Sequence, residues 1–161
     1  MALRFTPEEA VELAILIEVN GEAFYKSLEE GAPEAQARVR EVFAYLAREE
    51  ERHRAAFEKL RESLRGYEPV ESYPGEHAAY MEALADRNVF TKEGAGRELA
   101  QKISSSRQAV ELALEFEKES ILFFEGLRPL LAREGREVVD RLIEEEKRHI
   151  VKLRELEETL K

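Results

Sequence analysis

Residues 46–57 read LAREEERHRAAF, with Glu50 and His53 at the centre of the stretch. Positions i and i+3 of an α-helix share one face about a turn apart, so this carboxylate and this imidazole reach toward one point. The flanking apolar residues define that face: Val39, Val42 and Leu46 before the pair, Phe57, Leu60 and Leu64 after it. The steps along it are three or four throughout, which marks a helix seam facing a partner. Glu50 and His53 stand where that pattern wants leucine. A buried carboxylate with no partner costs roughly several kcal/mol, so something must offset it.

The same interruption occurs in three other segments. A first helix opens at Thr6-Pro7-Glu8-Glu9, a capping box with Pro at the first helical position. Its seam runs Val11, Ala14, Glu18, Gly21, Tyr25, Leu28. Gly31 and Pro33 end it and start the second helix, predicted from about Pro33 to Leu64, which makes an antiparallel hairpin. A third helix is predicted from near Ser105, with Gln108 completing another capping box and a seam of Val110, Ala113, Glu117, Ser120, Phe124 and Leu127. Pro129 and Gly135 bracket the next turn. The last helix, about 136–160, has the seam Val139, Leu142, Glu146, His149, Leu153, Leu156, Leu160.

These segments form a repeat. AVELAILIEVNGEAFYKSL at 10–28 aligns with AVELALEFEKESILFFEGL at 109–127, a shift of 99. EVFAYLAREEERHRAAFEKL at 41–60 aligns with EVVDRLIEEEKRHIVKLREL at 137–156, a shift of 96. The change of offset predicts a shorter turn in the second hairpin. Glu18 falls on Glu117, Glu50 on Glu146 and His53 on His149. Residues 65–104 between the hairpins are punctuated by Gly66, Pro69, Pro74, Gly75, Gly94 and Gly96, and only 75–87 reads as helical. A connection of about 40 residues far exceeds a bundle turn and fits a crossover along the bundle, starting the third helix at the same end as the second. The chain therefore reads as one all-α domain over 1–161: hairpin 1 at about 6–64, crossover 65–104, hairpin 2 at about 105–160.

Composition narrows the function. With 37% charged residues and a net charge of −10, the chain is a poor partner for nucleic acid or an anionic membrane surface. No apolar run approaches the roughly 20 residues of a membrane span, and MALRFTPEEA has no apolar export core, so the expectation is a cytoplasmic protein. The absence of cysteine removes disulfides, zinc ribbons, iron–sulfur clusters and thiol catalysis. What remains is four Glu and two His on four seams: one Glu on each of two helices and a Glu-x-x-His pair on each of the others. Helix bundles hold two iron or manganese ions with this set. Carboxylate oxygens bridge cations, imidazole suits iron and manganese, and four carboxylates neutralise two divalent ions. The spacing predicts that Glu18 and Glu117 bridge the ions while each Glu-x-x-His pair serves one.

Lesser candidates surround this set. Tyr25 lies two turns after Glu18 on the same face; its hydroxyl can reach a ligand carboxylate, or it can be core like its repeat-mate Phe124. Glu22 is read as the partner of an arginine rather than a ligand. His77 is read as a surface residue, and Glu49 and Glu145 as solvated charges off the seam.

IEVNGEAFYKSL, EEERHRAAF, FEKESILFF and EEEKRHIVKL resemble the rubrerythrin-type domains of the ferritin-like superfamily, across both hairpins. The resemblance implies a ferritin-like four-helix bundle with two iron ions, or manganese in their place, bound by Glu18, Glu50, His53, Glu117, Glu146 and His149. Tyr25 would be hydrogen-bonded to the site in a supporting catalytic role. It implies reduction of hydrogen peroxide, with dioxygen as the other oxidant, and homodimers, in some cases helix-swapped. Two departures accompany it. Typical rubrerythrins carry a cysteine-rich rubredoxin module, so electrons here would come from an external donor protein. Many also have a carboxylate where this chain has Ser120, so the resemblance does not extend to the ligand exchange that such a carboxylate allows one iron. The alternative to a peroxidase or oxidase is a non-catalytic iron-binding or iron-storage protein.

Overall fold

The computed structural model describes residues 6–67 and 76–160; Pro69, Pro74 and Gly75, read above as breaks, lie outside the described residues. Six α-helices follow in order: α1 Pro7–Gly31, α2 Ala37–Ser63, α3 Glu76–Arg87, α4 Ala95–Gln101, α5 Ser106–Leu127 and α6 Arg133–Thr159, with short 3₁₀ turns at Val89–Thr91 and Arg128–Leu130. The four long ones form an all-α, ferritin-like bundle in which α1 packs on α2, α2 on α6, α6 on α5 and α5 on α1. The seams of α1, α2 and α5 are buried throughout, as is that of α6 up to Leu156; Leu160 is half-buried.

Thr6 caps α1 as expected, its hydroxyl accepting from Glu9 N at 3.1 Å while the Glu9 carboxylate accepts from Thr6 N at 2.9 Å. The cap of α5 is only half a box. Ser105 Oγ accepts from Gln108 N, but the Gln108 side chain accepts from Ser104 N rather than Ser105 N. Other boundaries also differ from the sequence reading. α2 begins at Ala37, four residues after Pro33, because residues 33–36 form a turn closed by Gln36 N on Pro33 O. α6 begins at Arg133 rather than 136. The two hairpin turns are equally long; the missing residues come off the end of α5, which stops at Leu127 where Pro129 takes the chain into a 3₁₀ turn.

The crossover carries more structure than the single helix expected. α3 lies against the end of α5, where a Cβ on Gly126 would meet Met81 Sδ at 2.7 Å. His77, expected on the surface, is half-buried there and donates from Nε2 to Gly126 O at 2.8 Å. The chain then runs along α1 through Val89–Thr91 and α4, and Ser106 at the start of α5 hydrogen-bonds Gln36 at the start of α2. Helices α2 and α5 therefore begin at the same end.

One buried side chain secures this path. Asn20 on α1 donates from Nδ2 to Phe90 O and Lys92 O, both at 2.8 Å, and accepts from Gly96 N at 3.1 Å. Gly96 sits so close that a Cβ there would lie 1.9 Å from Asn20 O. Asn20→Ala strands three backbone groups and is expected to destabilise the protein by about 3 kcal/mol or more, read as a lower urea midpoint at unchanged slope. A shift of a few tenths would show the crossover to be held elsewhere.

Candidate metal centre

The seam interruptions converge. Glu18 on α1, Glu50 and His53 on α2, Glu117 on α5, and Glu146 and His149 on α6 meet in the bundle interior, each at most 2% exposed. Helical phase puts them there, since each replaces an apolar residue on a face that must pack inward. Gly21 makes room: a Cβ at that position would come within 2.6 Å of the Phe116 ring and 2.8 Å of Glu50 Oε2. Phe116, which meets Glu50 across the space beside Gly21, packs on Phe24 and Phe90, and Phe57 against Phe124 forms a second aromatic contact in the core.

The two imidazoles stack nearly parallel, 5.3 Å between centroids at 11°. Each turns Nδ1 toward the carboxylates. His53 Nδ1 lies 2.8 Å from Glu146 Oε1 and 3.8 Å from Glu18 Oε2. His149 Nδ1 lies 2.9 Å from Glu146 Oε2 and 3.5 Å from both Glu50 Oε1 and Glu117 Oε1. Donor atoms within 4.8 Å of one another form two quartets: Glu18, Glu50, His53 and Glu146, and Glu50, Glu117, Glu146 and His149.

Glu50 and Glu146 belong to both quartets. This arrangement favours Glu50 and Glu146, rather than Glu18 and Glu117 as the spacing predicted, as the carboxylates shared between two ion positions. Each hairpin sets its lone glutamate beside its own histidine, whereas the glutamates of α2 and α6 reach across to the other hairpin. The sequence spacing identifies the faces of these helices but not which side chains cross between them.

Both oxygens of Glu18, Glu50 and Glu146, Oε2 of Glu117, and Nδ1 of both histidines have no partner in hydrogen-bond geometry among the described residues, although each Nδ1 stands within 3 Å of Glu146. Buried polar atoms are almost always paired, so such a cluster needs an explanation. A pair of divalent cations supplies one, because the oxygens and imidazoles fit iron or manganese and their −4 charge balances two ions. Protein groups alone leave like charges crowded together. Burial, then the charge of Glu146, pushes Glu18 up to about 7 and Glu117 up to about 8. Burial and the neighbouring glutamates hold Glu50 well above the carboxylate range. Burial also opposes the charge of Glu146, but His53 and His149 on either side outweigh it and hold Glu146 well below. Burial disfavours charged imidazoles too, yet Glu146 carries His53 up to about 9, and Glu117 with Glu146 carries His149 up to about 11.

Further side chains surround this set. The Tyr25 hydroxyl donates to Glu117 Oε1 at 2.5 Å. Burial and then Glu117 raise it well above its ordinary range, so it stays a protonated donor. Glu22 pairs with Arg54 at 3.0 Å and with Lys26. Ser120 is buried and turns its hydroxyl back to Phe116 O at 3.0 Å. Glu49 and Glu145, read as solvated, are instead largely buried behind the histidines. Glu145 Oε2 is 2.9 Å from His53 Nε2, and Glu49 Oε2 is 4.0 Å from His149 Nε2. The available signal was the repeated pattern Glu-Glu-x-Arg-His, at 49–53 and again at 145–149.

Residues 9–157 match the rubrerythrin family. The chain belongs to that family. No curated protein and no solved structure matches it. The 161 residues of this rubrerythrin contain no cysteine, and no helix among the described residues is long and apolar enough to cross a membrane.

Proposed function

We propose that this rubrerythrin holds two iron ions among Glu18, Glu50, His53, Glu117, Glu146 and His149 and reduces hydrogen peroxide in the cytoplasm. The observation that supports it is the set of sealed, unpartnered carboxylate and imidazole atoms in two overlapping quartets. A bound pair of irons supplies one electron from each ion, and two electrons with two protons turn one peroxide into two waters. The chain's own residues shape the setting. Glu50 and Glu146 span the two positions, while Glu18 with His53 and Glu117 with His149 complete one each. Tyr25 holds its proton on Glu117 Oε1 and fixes that carboxylate. Burial of all six side chains to at most 2% exposure keeps bulk water from them, which strengthens every charge interaction inside. In this reading electrons reach the centre from a donor outside these 161 residues, a separate donor protein by our proposal, because none of them is a cysteine that could hold a rubredoxin iron.

The test is anaerobic. A protein loaded with two Fe(II) and given one equivalent of peroxide is expected to oxidise faster than with dioxygen, to recover on addition of a reductant, and to turn over only while reductant lasts. Slow oxidation with mineral accumulating in an assembly would replace this reading with iron storage. Bound iron inert to peroxide would reduce it to metal binding.

A further inference from the structure

The two halves of the centre are repeat-related but not equally supported. We infer that Glu145 is a positioning residue that orients His53 and makes the Glu18–His53 half the tighter of the two ion positions. This inference rests on the two-ion reading above and extends it to an order of filling.

A histidine that gives one nitrogen to a metal keeps a hydrogen on the other, and a carboxylate or carbonyl usually receives it, fixing the tautomer and the ring. For His53 that acceptor is present. Nε2 donates across the α2–α6 pair to Glu145 Oε2 at 2.9 Å, which leaves Nδ1 to face Glu18 and Glu146. For His149 the repeat-equivalent acceptor is Glu49, but 4.0 Å separates them and His149 Nε2 has no hydrogen-bond partner among the described residues. The cause is local. Arg52, one turn along α2, takes the Glu49 carboxylate. Its repeat-mate Arg148 makes no ion pair among the described residues, so Glu145 is left to His53. A ring held at one nitrogen presents the other in a fixed direction, whereas an unheld ring must be ordered when the ion arrives.

The experiment is a calorimetric titration of the metal-free protein with Mn(II), paired with ¹⁵N-histidine NMR of the Co(II)-loaded form. The native chain is expected to fill in two steps. Glu145→Ala should weaken the tighter step about 10–100-fold and leave the other within about threefold, while Glu145→Gln, whose amide oxygen still accepts, recovers most of the loss. Glu49→Ala should move neither step by more than about threefold. The loaded native protein should show one exchange-protected imidazole N–H, on His53, that disappears in Glu145→Ala and persists in Glu145→Gln. Arg52→Ala provides an arm that loss of folding cannot mimic: releasing Glu49 toward His149 should tighten the weaker step by up to about tenfold. Equal losses from Glu49→Ala and Glu145→Ala, unchanged affinities in Glu145→Ala, or a protected N–H on His149 instead would each overturn the inference while leaving two-ion binding intact. A native chain that binds fewer than two ions would overturn the two-ion reading and this inference with it.

Discussion

Glu146→Ala is expected to cost the protein both ions, whereas Glu18→Ala costs it one. Metal analysis of the native chain should give two ions, and each of Glu18→Ala, His53→Ala, Glu117→Ala and His149→Ala should retain one. Glu146→Ala and Glu50→Ala should retain less than one. The expectation follows from where the carboxylates sit. Glu146 places Oε1 at 2.8 Å from His53 Nδ1 and Oε2 at 2.9 Å from His149 Nδ1, so one carboxylate addresses both histidines. Glu50 shares this double membership, while Glu18 and Glu117 each belong to one quartet. Losing a bridge also removes the charge that screens the cations from each other, and at short separation that repulsion is large in a low-dielectric interior. If instead the Glu18 and Glu117 variants lost both ions and Glu146→Ala kept one, the lone glutamates would be the bridges.

That contrast also marks what could be read from the chain. Each seam was visible because burial imposes a period of about 3.6 on apolar residues, and a polar break in such a stripe shows against leucine and valine. The repeat then turned single anomalies at Glu18, Glu50, His53, Glu117, Glu146 and His149 into a set. Period gives the face of a helix but not which neighbour that face meets at each level. The pair shared by both quartets therefore emerged only with α2 and α6 in place, as did the burial of Glu49 and Glu145 one turn before each histidine. Asn20 was illegible for a different reason. Its partners lie about 70 residues on, at Phe90, Lys92 and Gly96, and its repeat-mate Glu119 is exposed. Nothing local distinguishes an asparagine that staples a crossover from one that faces solvent.

Stability is expected to respond to pH in opposite directions without and with metal. Take the metal-free protein first. Glu18 titrates at about 7 and Glu117 at about 8 in the fold, against 4.5 ordinarily, and Glu50 is raised as well. Between the ordinary and the folded value the fold holds protons that the unfolded chain has released, so stability declines as pH rises. His53 at about 9 and His149 at about 11, against 6.5, act in the same sense: their contribution is whole below 6.5 and drains away as pH climbs through the folded values. Glu146, held low, contributes above its ordinary 4.5 and loses that only in acid. From pH 6 to 9 every contribution from the centre is flat or falling, and a drop in melting temperature on the order of 10 °C is expected. Metal reverses the slope, because ligands bind deprotonated and stabilisation grows with affinity. Loading at pH 7 should release between about four and five protons per chain, about one each from His53, His149, Glu50 and Glu117 and about half of one from Glu18, measurable by calorimetry in buffers of different ionisation heat. With saturating Mn(II), the melting temperature should then rise from pH 6 to 8. Curves that run parallel with and without Mn(II) would show that these six side chains do not trade protons for cations, leaving their burial without a reason.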